Sequence, residues 1–328
     1  MRFALSDEAA ALRAAAAEVL AAEVPAAVVR AGWPGGDGAL VAAAWRKLAA
    51  VGVTGTLVPD AAGGLGLDEN ALVPLLVEVG RSGLPVPAVE TIAVAAPLLP
   101  ADQLATVLAG DVLVAARLEP GDLVPYGQRA PLIVLRAGDG LRLYDRGSLA
   151  LTPVPTVDGS RAVARLAAPA AGGTLLTADQ STMDTAWRRG VLGTAALLVG
   201  LARRMLELTV GYVRGREQFG VPVGSFQAIK HALAAALVAV EFAEPMVLAA
   251  GWAQAAQAAD AAAATSAAKV LASDAARLVA RTAIQCHGAL GYTTEYDLHL
   301  YAKRVWALAP SWGDSHRHRA ELAESLGV

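Results

Sequence analysis

A side chain suited to binding an anionic group lies in the turn between two long predicted helices. Arg216 opens this turn, in the segment REQFGVPVGSFQAIK. The planar guanidinium of an arginine binds a phosphate through two parallel hydrogen bonds, which the ammonium of a lysine does not match. An arginine at a helix end also serves as a partner of the helix dipole or as a solvated charge. The residue type favours a phosphate contact and leaves the structural role open.

A second candidate lies where the segment QCHGALGY follows a long helical stretch. Gly288 and Gly291 have no Cβ, so the backbone of this turn is able to approach a ligand closely. A glycine-rich turn after a helix is also typical of a helix C-cap. The spacing alone is compatible with both interpretations.

Metal binding and thiol chemistry have weaker support. His287, His316 and His318 have no cysteine or carboxylate at ligand spacing, so we predict no metal site and expect these histidines to be solvated. Cys286 is the single cysteine, which excludes an internal disulfide, fits a reducing compartment and predicts a cytoplasmic protein. We interpret it as a small buried residue rather than a nucleophile.

The composition restricts the class of protein that positions these groups. Of the 328 residues, 55% are hydrophobic, 5% aromatic and 17% charged, and much of the excess is alanine, the best helix former. The formal net charge of −3 argues against nucleic acid as a partner, because a phosphate-binding surface normally shows a basic excess. Charges and prolines cut the apolar stretches before they reach the ~20 residues that span a bilayer, which predicts no membrane span.

Periodicity and turn signals divide the chain into three parts. Residues 1–110 are predicted to form an N-terminal helical domain, residues 111–175 a shortened β domain and residues 176–328 a C-terminal helical bundle. The short runs VLVAARL, PLIVLRAG, GLRLYD and RAVARLA predict one small sheet in the middle part. Long antiparallel helices joined by short loops predict a four-helix bundle in the last part. Helices are predicted over residues 6–22, 39–51, 69–82, 88–98, 101–109, 181–216, 224–257 and 259–287.

Three stretches in this order resemble the acyl-CoA dehydrogenase family. They are WRKLAAVGVTGTLVPDAAGGLGLDENALVPLLVEVGRSGLPVP, REQFGVPVGSFQAIKHALA and QCHGALGYTTEYDLHLYAKR, which begin at Trp45, Arg216 and Gln285. The resemblance implies a mainly α fold with a small β domain, made of N-terminal helical, truncated middle β-sheet and C-terminal four-helix-bundle domains. It also implies a reaction in which a carboxylate removes the α-proton of an acyl-CoA thioester while the β-hydrogen leaves as hydride to FAD.

The resemblance gives both turns a role at the ADP end of FAD. In this family the arginine that matches Arg216 meets the FAD pyrophosphate, Gln227 matches a glutamine near the adenosine, and the turn after Gln285 resembles the loop that approaches the ADP. In the resembling enzymes these residues serve a FAD seated mainly in a neighbouring subunit, which implies an oligomer. The positions implied to bind FAD are Arg216, Gln218, Phe219, Gln227, Gln285, Gly288 and Gly291.

The positions at which the family places its catalytic base hold no carboxylate here. One position, about twenty residues past the Gly291-Tyr292 turn, is occupied by Trp312, whose indole has no basic site. The other, on the first helix of the C-terminal bundle, is occupied by Gly190. Asp314 is the nearest carboxylate, and its place ahead of SHRHRAELAES favours a helix N-cap over a relocated base. Glu119-Pro120 echoes the family's Thr-Glu-Pro motif, but no Trp-Ile-Thr strand follows to line a flavin ring. We therefore predict no catalytic residue in this chain.

The resemblance then favours one role among three. The chain is expected to be the short, base-lacking subunit of a heteromeric α2β2 acyl-CoA dehydrogenase, in which a longer subunit supplies the base and flavin pocket. Such heteromers resemble enzymes of steroid side-chain breakdown, which favours a bulky acyl-CoA. One alternative is a self-sufficient homomeric dehydrogenase that uses Asp314 or another acid. The other is a flavin-free binding or scaffold protein, or a family member recruited to other acyl-thioester chemistry.

Overall fold

The computed structural model describes residues 5–168 and 170–327, and it confirms a mainly α fold with a small β region. The α-helices are α1 (Asp7–Glu23), α2 (Ala26–Ala31), α3 (Gly38–Ala50), α4 (Glu69–Ser82), α5 (Ala101–Leu108), α6 (Gln180–Gly215), α7 (Gln227–Ala255), α8 (Ala261–His287), α9 (Leu298–Leu308) and α10 (Ser315–Leu326). The strands are β1 (Val114–Arg117), β2 (Leu123–Val124), β3 (Leu132–Ala137), β4 (Gly140–Asp145), β5 (Leu151–Pro153), β6 (Ala164–Leu166), β7 (Thr174–Thr177), β8 (Glu217–Gln218) and β9 (Val221–Pro222).

The long helices follow their sequence signals closely. The predicted bounds of α1, α3, α4, α5, α6, α7 and α8 differ from the observed ones by no more than three residues, the largest difference being residue 224 against Gln227. Side-chain N-caps begin several of them, such as the Asp68 carboxylate that accepts from Asn70 N at 2.9 Å before α4. The prediction missed α2 and α9, whose N-caps Pro25 and Asp297 make no side-chain capping hydrogen bond.

The segment predicted as a helix over residues 88–98 has an unusual geometry. It is a π-helix over Val89–Ala95, followed by a short 3₁₀ turn. The Thr91 hydroxyl donates to the carbonyl of Val114 (3.0 Å) and accepts from its N–H (3.1 Å), so this side chain joins the segment to the β1 backbone. π-Helical turns are rare in proteins, and those that do occur often lie at functional sites. This one carries the buried carboxylate Glu90.

The middle of the chain contains two small sheets rather than the one predicted. The first has the strand order β1-β3-β4-β7, with β1 and β3 parallel, and the second has the order β2-β6-β5. The additional strands β2 and β5 have two and three residues, too few to show the alternation that identifies a strand in sequence. The strand β7 extends to Thr177, past Gly173, where the sequence pattern of strands ends.

The C-terminal helices α6, α7 and α8 pack on one another, and α4 of the N-terminal part packs on α6 and α7. Glycines allow the close contact between α4 and α6. A Cβ at Gly80 would lie 2.8 Å from the Cα of Leu197, and one at Gly200 would lie 2.6 Å from the backbone N of Arg81. The two backbones therefore approach more closely than larger residues would permit.

Helix α7 has one face that the rest of the chain does not cover. Ala236, Val240, Ala243, Val247 and Ala250 are buried against neighbouring helices, whereas Leu237, Val238 and Phe242 are 44%, 52% and 72% exposed. Among the described residues, α7 is the one helix whose length and composition would allow it to cross a membrane. Helices in soluble assemblies meet the same criterion, so the absence of a membrane span stays a prediction.

Candidate functional site

Arg216 lies at the end of α6, where the hairpin of β8 and β9 begins. Its N–H donates to the carbonyl of Tyr212 (2.9 Å), and its carbonyl accepts from the N–H of Val223 (2.8 Å). The backbone is thereby fixed on both sides, while the side chains of Arg216 and Gln218 are exposed. An exposed guanidinium on a fixed backbone is available to a phosphate group.

The tip of the hairpin presents an aromatic ring to solvent. Phe219 is 94% exposed and has a positive φ of 55°, which is uncommon for a residue with a side chain. Its ring meets that of Phe226 edge to face, with 6.3 Å between the centroids. Gln227 follows as the first residue of α7 and is also exposed. Large exposed rings are typical of contact surfaces, because association removes their apolar area from water.

The turn around Gln285 lies at the same end of the bundle as Arg216. The Tyr212 ring, one turn before the end of α6, stacks on the ring of His287, the last residue of α8, with 4.2 Å between the centroids. Tyr296 contacts both rings, at 5.8 Å and 4.8 Å. These contacts hold the C-terminal ends of α6 and α8 together. The structure thus brings the two predicted segments to one surface, where Gln285 and Gly288 are exposed.

The two positions of this turn require glycine for different physical reasons. Gly288 adopts φ 60° and ψ −136°, a conformation that is essentially restricted to glycine. Gly291 is buried, and a Cβ there would lie 2.7 Å from the carbonyl oxygen of Ile284. The sequence left a helix C-cap and close approach by a ligand both open, and Gly288 is the C-cap of α8.

The two positions at which the family resemblance places a base meet in space. Gly190, on α6, lies directly against the indole of Trp312, and a Cβ at Gly190 would lie 2.7 Å from its Cδ2 atom. Trp312 is 5% exposed and belongs to an apolar cluster that also contains Val94, Met183 and Val191. The indole of Trp312 therefore occupies the space beside Gly190, and neither residue offers a proton acceptor.

Further aromatic and polar contacts fix this indole. The Trp187 ring lies 5.5 Å from that of Trp312, and the guanidinium of Arg317 lies 4.5 Å from the centre of the Trp187 ring. The backbone N–H of Trp312 donates to Glu119 Oε1 at 3.4 Å. Glu119, in the Glu119-Pro120 pair, thus contacts the turn that carries Trp312.

A buried lysine and a buried histidine hold the backbone of that turn. Trp312 and Gly313 both have positive φ, 58° and 85°. The Lys269 ammonium donates to the carbonyls of Ala309 and Gly313, both at 2.8 Å, and His318 Nε2 lies 2.8 Å from the carbonyl of Trp312. Backbone strain of this kind persists only where surrounding contacts determine it.

Burial changes the protonation of both groups. The pKa of Lys269 is lowered to about 7, mainly by burial and secondly by Arg277, while Glu119, Asp314 and Asp274 oppose the shift. Burial also lowers the pKa of His318, while the hydrogen bond that His318 donates to the Trp312 carbonyl and the nearby Glu321 carboxylate oppose the shift. The neutral imidazole donates through Nε2, and its Nδ1 lies 3.0 Å from the Ser266 hydroxyl, which donates to Glu321 Oε2 at 2.9 Å.

The carboxylate nearest to Trp312 in sequence has a structural role. Asp314 caps α10, as predicted, by accepting from the N–H of Arg317 at 2.8 Å. That hydrogen bond lowers the pKa of Asp314, and the side chain is exposed. A solvated carboxylate with a lowered pKa is a poor proton acceptor.

The expectation of solvated histidines is wrong for two of the three. His318 and His287 are 1% and 3% exposed because they fill interhelical positions, while His316 is exposed. The interpretation of Cys286 is confirmed, since it is buried and burial raises the pKa of its thiol. In the described ranges, no group of three or more His, Cys, Asp or Glu side chains is arranged to hold a metal ion.

Sequence reasoning missed Glu90, the one carboxylate in the apolar run AVETIAVAAPLLP. Glu90 is 4% exposed, and burial raises its pKa, while Arg161, the Trp312 side chain and Arg304 oppose the shift. Arg304 Nε lies 2.5 Å from Asp158 Oδ2, and both of these residues are buried. Burial of a carboxylate with a raised pKa is a known mark of functional sites. Here the carboxylate belongs to a buried polar network that joins the N-terminal helices, the β region and α9.

Family models and a relative agree on one family. The model of the acyl-CoA dehydrogenase N-terminal domain matches residues 6–101, and that of the acyl-CoA dehydrogenase C-terminal domain matches residues 180–327. The acyl-CoA dehydrogenase IpdE2 of Mycobacterium tuberculosis is 35% identical over 274 residues, which cover 80% of this chain and 79% of that protein. The chain belongs to the acyl-CoA dehydrogenase family.

Solved structures show the same acyl-CoA dehydrogenase fold. A chain of the ChsE4-ChsE5 complex from Mycobacterium tuberculosis is 22% identical, with a TM-score of 0.85 and coverage of 100% of this chain and 99% of that one. A chain of the Tcur3481-Tcur3483 steroid ACAD G363A variant is 24% identical, with a TM-score of 0.86 and coverage of 98% of both chains. Other proteins of this fold bind FAD.

Proposed function

We propose that this acyl-CoA dehydrogenase family member is the non-catalytic subunit of a heteromeric FAD-dependent enzyme. It completes the ADP-binding part of a FAD site whose base and flavin pocket belong to a longer partner chain. The observation that carries the proposal is the contact between Trp312 and Gly190. An indole that packs on a bare glycine leaves neither a base nor the space for an acyl chain between the two positions.

The exposed end of the bundle supports the cofactor half of the proposal. Five of the side chains implied to bind FAD are exposed, namely Arg216, Gln218, Phe219, Gln227 and Gln285. The stacked rings of Tyr212 and His287 join the two segments that contain them. A guanidinium, three amide side chains on the same two segments and an exposed ring suit the phosphates and the adenine of a dinucleotide. In this account Arg216 binds the pyrophosphate and Gln227 lies near the adenosine. Bound FAD would supply the hydride acceptor, and this chain would bind and orient the ADP part of the cofactor.

The surface of α7 supports association with another chain. It exposes the large apolar side chains Leu237, Val238 and Phe242 around Glu241, whose carboxylate pairs with Arg203. Two similar structures are complexes of two differently named chains, and one of them is described as a steroid ACAD. We propose an α2β2 assembly with a longer acyl-CoA dehydrogenase subunit and a bulky acyl-CoA as its substrate.

Expression with and without the partner tests this function. We would purify the chain alone, the longer homologue encoded beside it alone, and the two together, and measure flavin absorbance and acyl-CoA dehydrogenation for each. The proposal predicts a colourless, inactive chain and a yellow, active pair. A yellow chain that dehydrogenates an acyl-CoA on its own would refute it.

A further inference from the structure

A cavity of about 330 Å³ lies between the N-terminal and C-terminal helices, at a distance from the sites described above. It is lined by α1, the end of α4, the middle of α6 and α9. Arg204 of α6 lines it, fourteen residues from Gly190 and twelve from Arg216. At 1.5 Å per residue these separations are about 21 Å and 18 Å along the helix. The cavity volume is near the lower end of the range for small-molecule sites.

The charged groups of this cavity leave a positive excess. Arg81 and Arg204 line it together with Glu78, and Glu207 pairs with both arginines from outside the lining. Glu78 is neutralised from the far side, because Arg13 donates to its Oε1 atom through Nε (2.9 Å) and NH2 (2.8 Å). The group of Arg13, Arg81, Arg204, Glu78 and Glu207 therefore carries one net positive charge.

Several donors of the two lining arginines lack a close acceptor among the described residues. Arg81 uses Nε with Glu207 at 2.8 Å, but its NH1 lies 3.7 Å from Glu78, beyond hydrogen-bond distance. The NH1 of Arg204 is only loosely held, at 3.5 Å from Glu207, and its guanidinium lies 6.0 Å from the centre of the Tyr301 ring. The Tyr301 hydroxyl reaches the carbonyl of Ser82 only at 3.5 Å. These groups suit an acceptor-rich anion.

The opposite wall of the cavity is apolar. Leu20, Val24 and the alanines of α1 form it, and they contribute no polar side chain. A ligand that satisfies both walls has an anionic head and a short hydrocarbon arm. We infer that this cavity binds a small carboxylic acid, with its carboxylate on the terminal nitrogens of Arg81 and Arg204 that Glu207 does not contact, and its alkyl arm along α1.

Isothermal titration of the purified full-length chain with hexanoate tests the inference, with hexan-1-ol and acetate as matched ligands. Hexanoate should bind saturably. Hexan-1-ol and acetate should each bind at least about tenfold more weakly, because one lacks the charge-assisted hydrogen bonds and the other lacks the apolar arm.

Two variants change different parts of the cavity. Arg204→Gln removes the charge and should weaken hexanoate binding by about tenfold. Ala21→Trp adds an indole at an exposed lining position on α1 and leaves both arginines in the sequence, so it should abolish binding by filling the cavity. Arg146→Gln, at an exposed arginine of the β region, is the matched control and should leave the affinity unchanged.

Three results would overturn the inference. They are the absence of saturable hexanoate binding to the wild type, equal binding of hexanoate and hexan-1-ol, and unchanged affinity in both cavity variants when their melting curves show a folded protein. None of these readouts involves flavin, so they do not depend on the proposed dehydrogenase role.

Discussion

The two ends of α6 differ in what surrounds their functional positions. Near its start, Gly190 is covered by the Trp312 indole, and both are buried within an apolar cluster. Past its end, Arg216 and Phe219 are exposed on a hairpin whose backbone is fixed. The family resemblance assigns the first region to chemistry on the acyl chain and the second to the cofactor. In the function proposed above, the first region is filled by the indole and the second is open to a partner.

The filled region is determined by many contacts at once. Lys269 and His318 hold the carbonyls of the Trp312 turn, while Trp187 and Gly190 contact its indole. The open region has few contacts of its own side chains. Substitutions should therefore affect stability in the first region and cofactor binding in the second.

The largest expected effect follows from removing the indole. Trp312→Ala should lower the free energy of unfolding by about 3–5 kcal/mol, because it empties a large volume in a packed cluster. No dehydrogenation should appear in the chain alone. Denaturant titration measures the loss, with Trp306→Ala, at a 40% exposed tryptophan of α9, as a control expected to lose much less. Equal losses at the two tryptophans would contradict the packing role of Trp312.

A smaller effect is expected from adding one methyl group at the facing position. Gly190→Ala should cost about 1–3 kcal/mol in the wild type, because its Cβ meets the indole. The cost should disappear in the Trp312→Ala background, where the indole is absent. Gly211→Ala, on the same helix with open space around it, should instead be neutral or stabilise by about 0.5–1 kcal/mol. Additive effects of the first two substitutions would show that the residues do not constrain each other.

The sequence predicted the long helices, and the family resemblance placed the two base positions at Gly190 and Trp312. It could not reveal that Gly190 and Trp312 touch, because their contact depends on how α6 packs against the turn before α10. The expectation for His287 and His318 failed for a related reason, since burial between helices leaves no local signal in a polar segment. The hydrophobic periodicity did not distinguish the π-helix at Val89–Ala95 from an α-helix, and the strands β2 and β5 are too short to show a periodicity.

Lys269→Met should show a deficit in stability that depends on pH. The pKa of Lys269 falls from 10.5 to about 7 on folding, so the unfolded chain binds more protons between these values. The contribution of Lys269 to the free energy of unfolding of the wild type therefore rises as the pH increases through that window, and the variant lacks this rise. The difference between the two proteins in free energy of unfolding should grow from pH 7 toward 10. A constant difference would show that the buried amine stays charged.

The smallest effect on stability is expected at the open end. Arg216→Ala should change the free energy of unfolding by less than about 0.5 kcal/mol, because the side chain is exposed. The flavin content of the assembled complex should nevertheless fall, since a charge-assisted contact to phosphate is lost. Arg146→Ala provides an exposed arginine outside this surface for comparison. Unchanged flavin content in the Arg216 variant would remove the argument for this binding surface.

Turnover by the flavin-loaded complex, with carboxylates altered only in this chain, tests the central claim most directly. Glu90→Gln and Asp314→Asn replace the buried carboxylate near Trp312 and the exposed one beside it. The account predicts that acyl-CoA dehydrogenation proceeds at the wild-type rate in both variants when flavin content is equal. Loss of turnover in either variant, with the flavin still bound, would show that this chain provides the base.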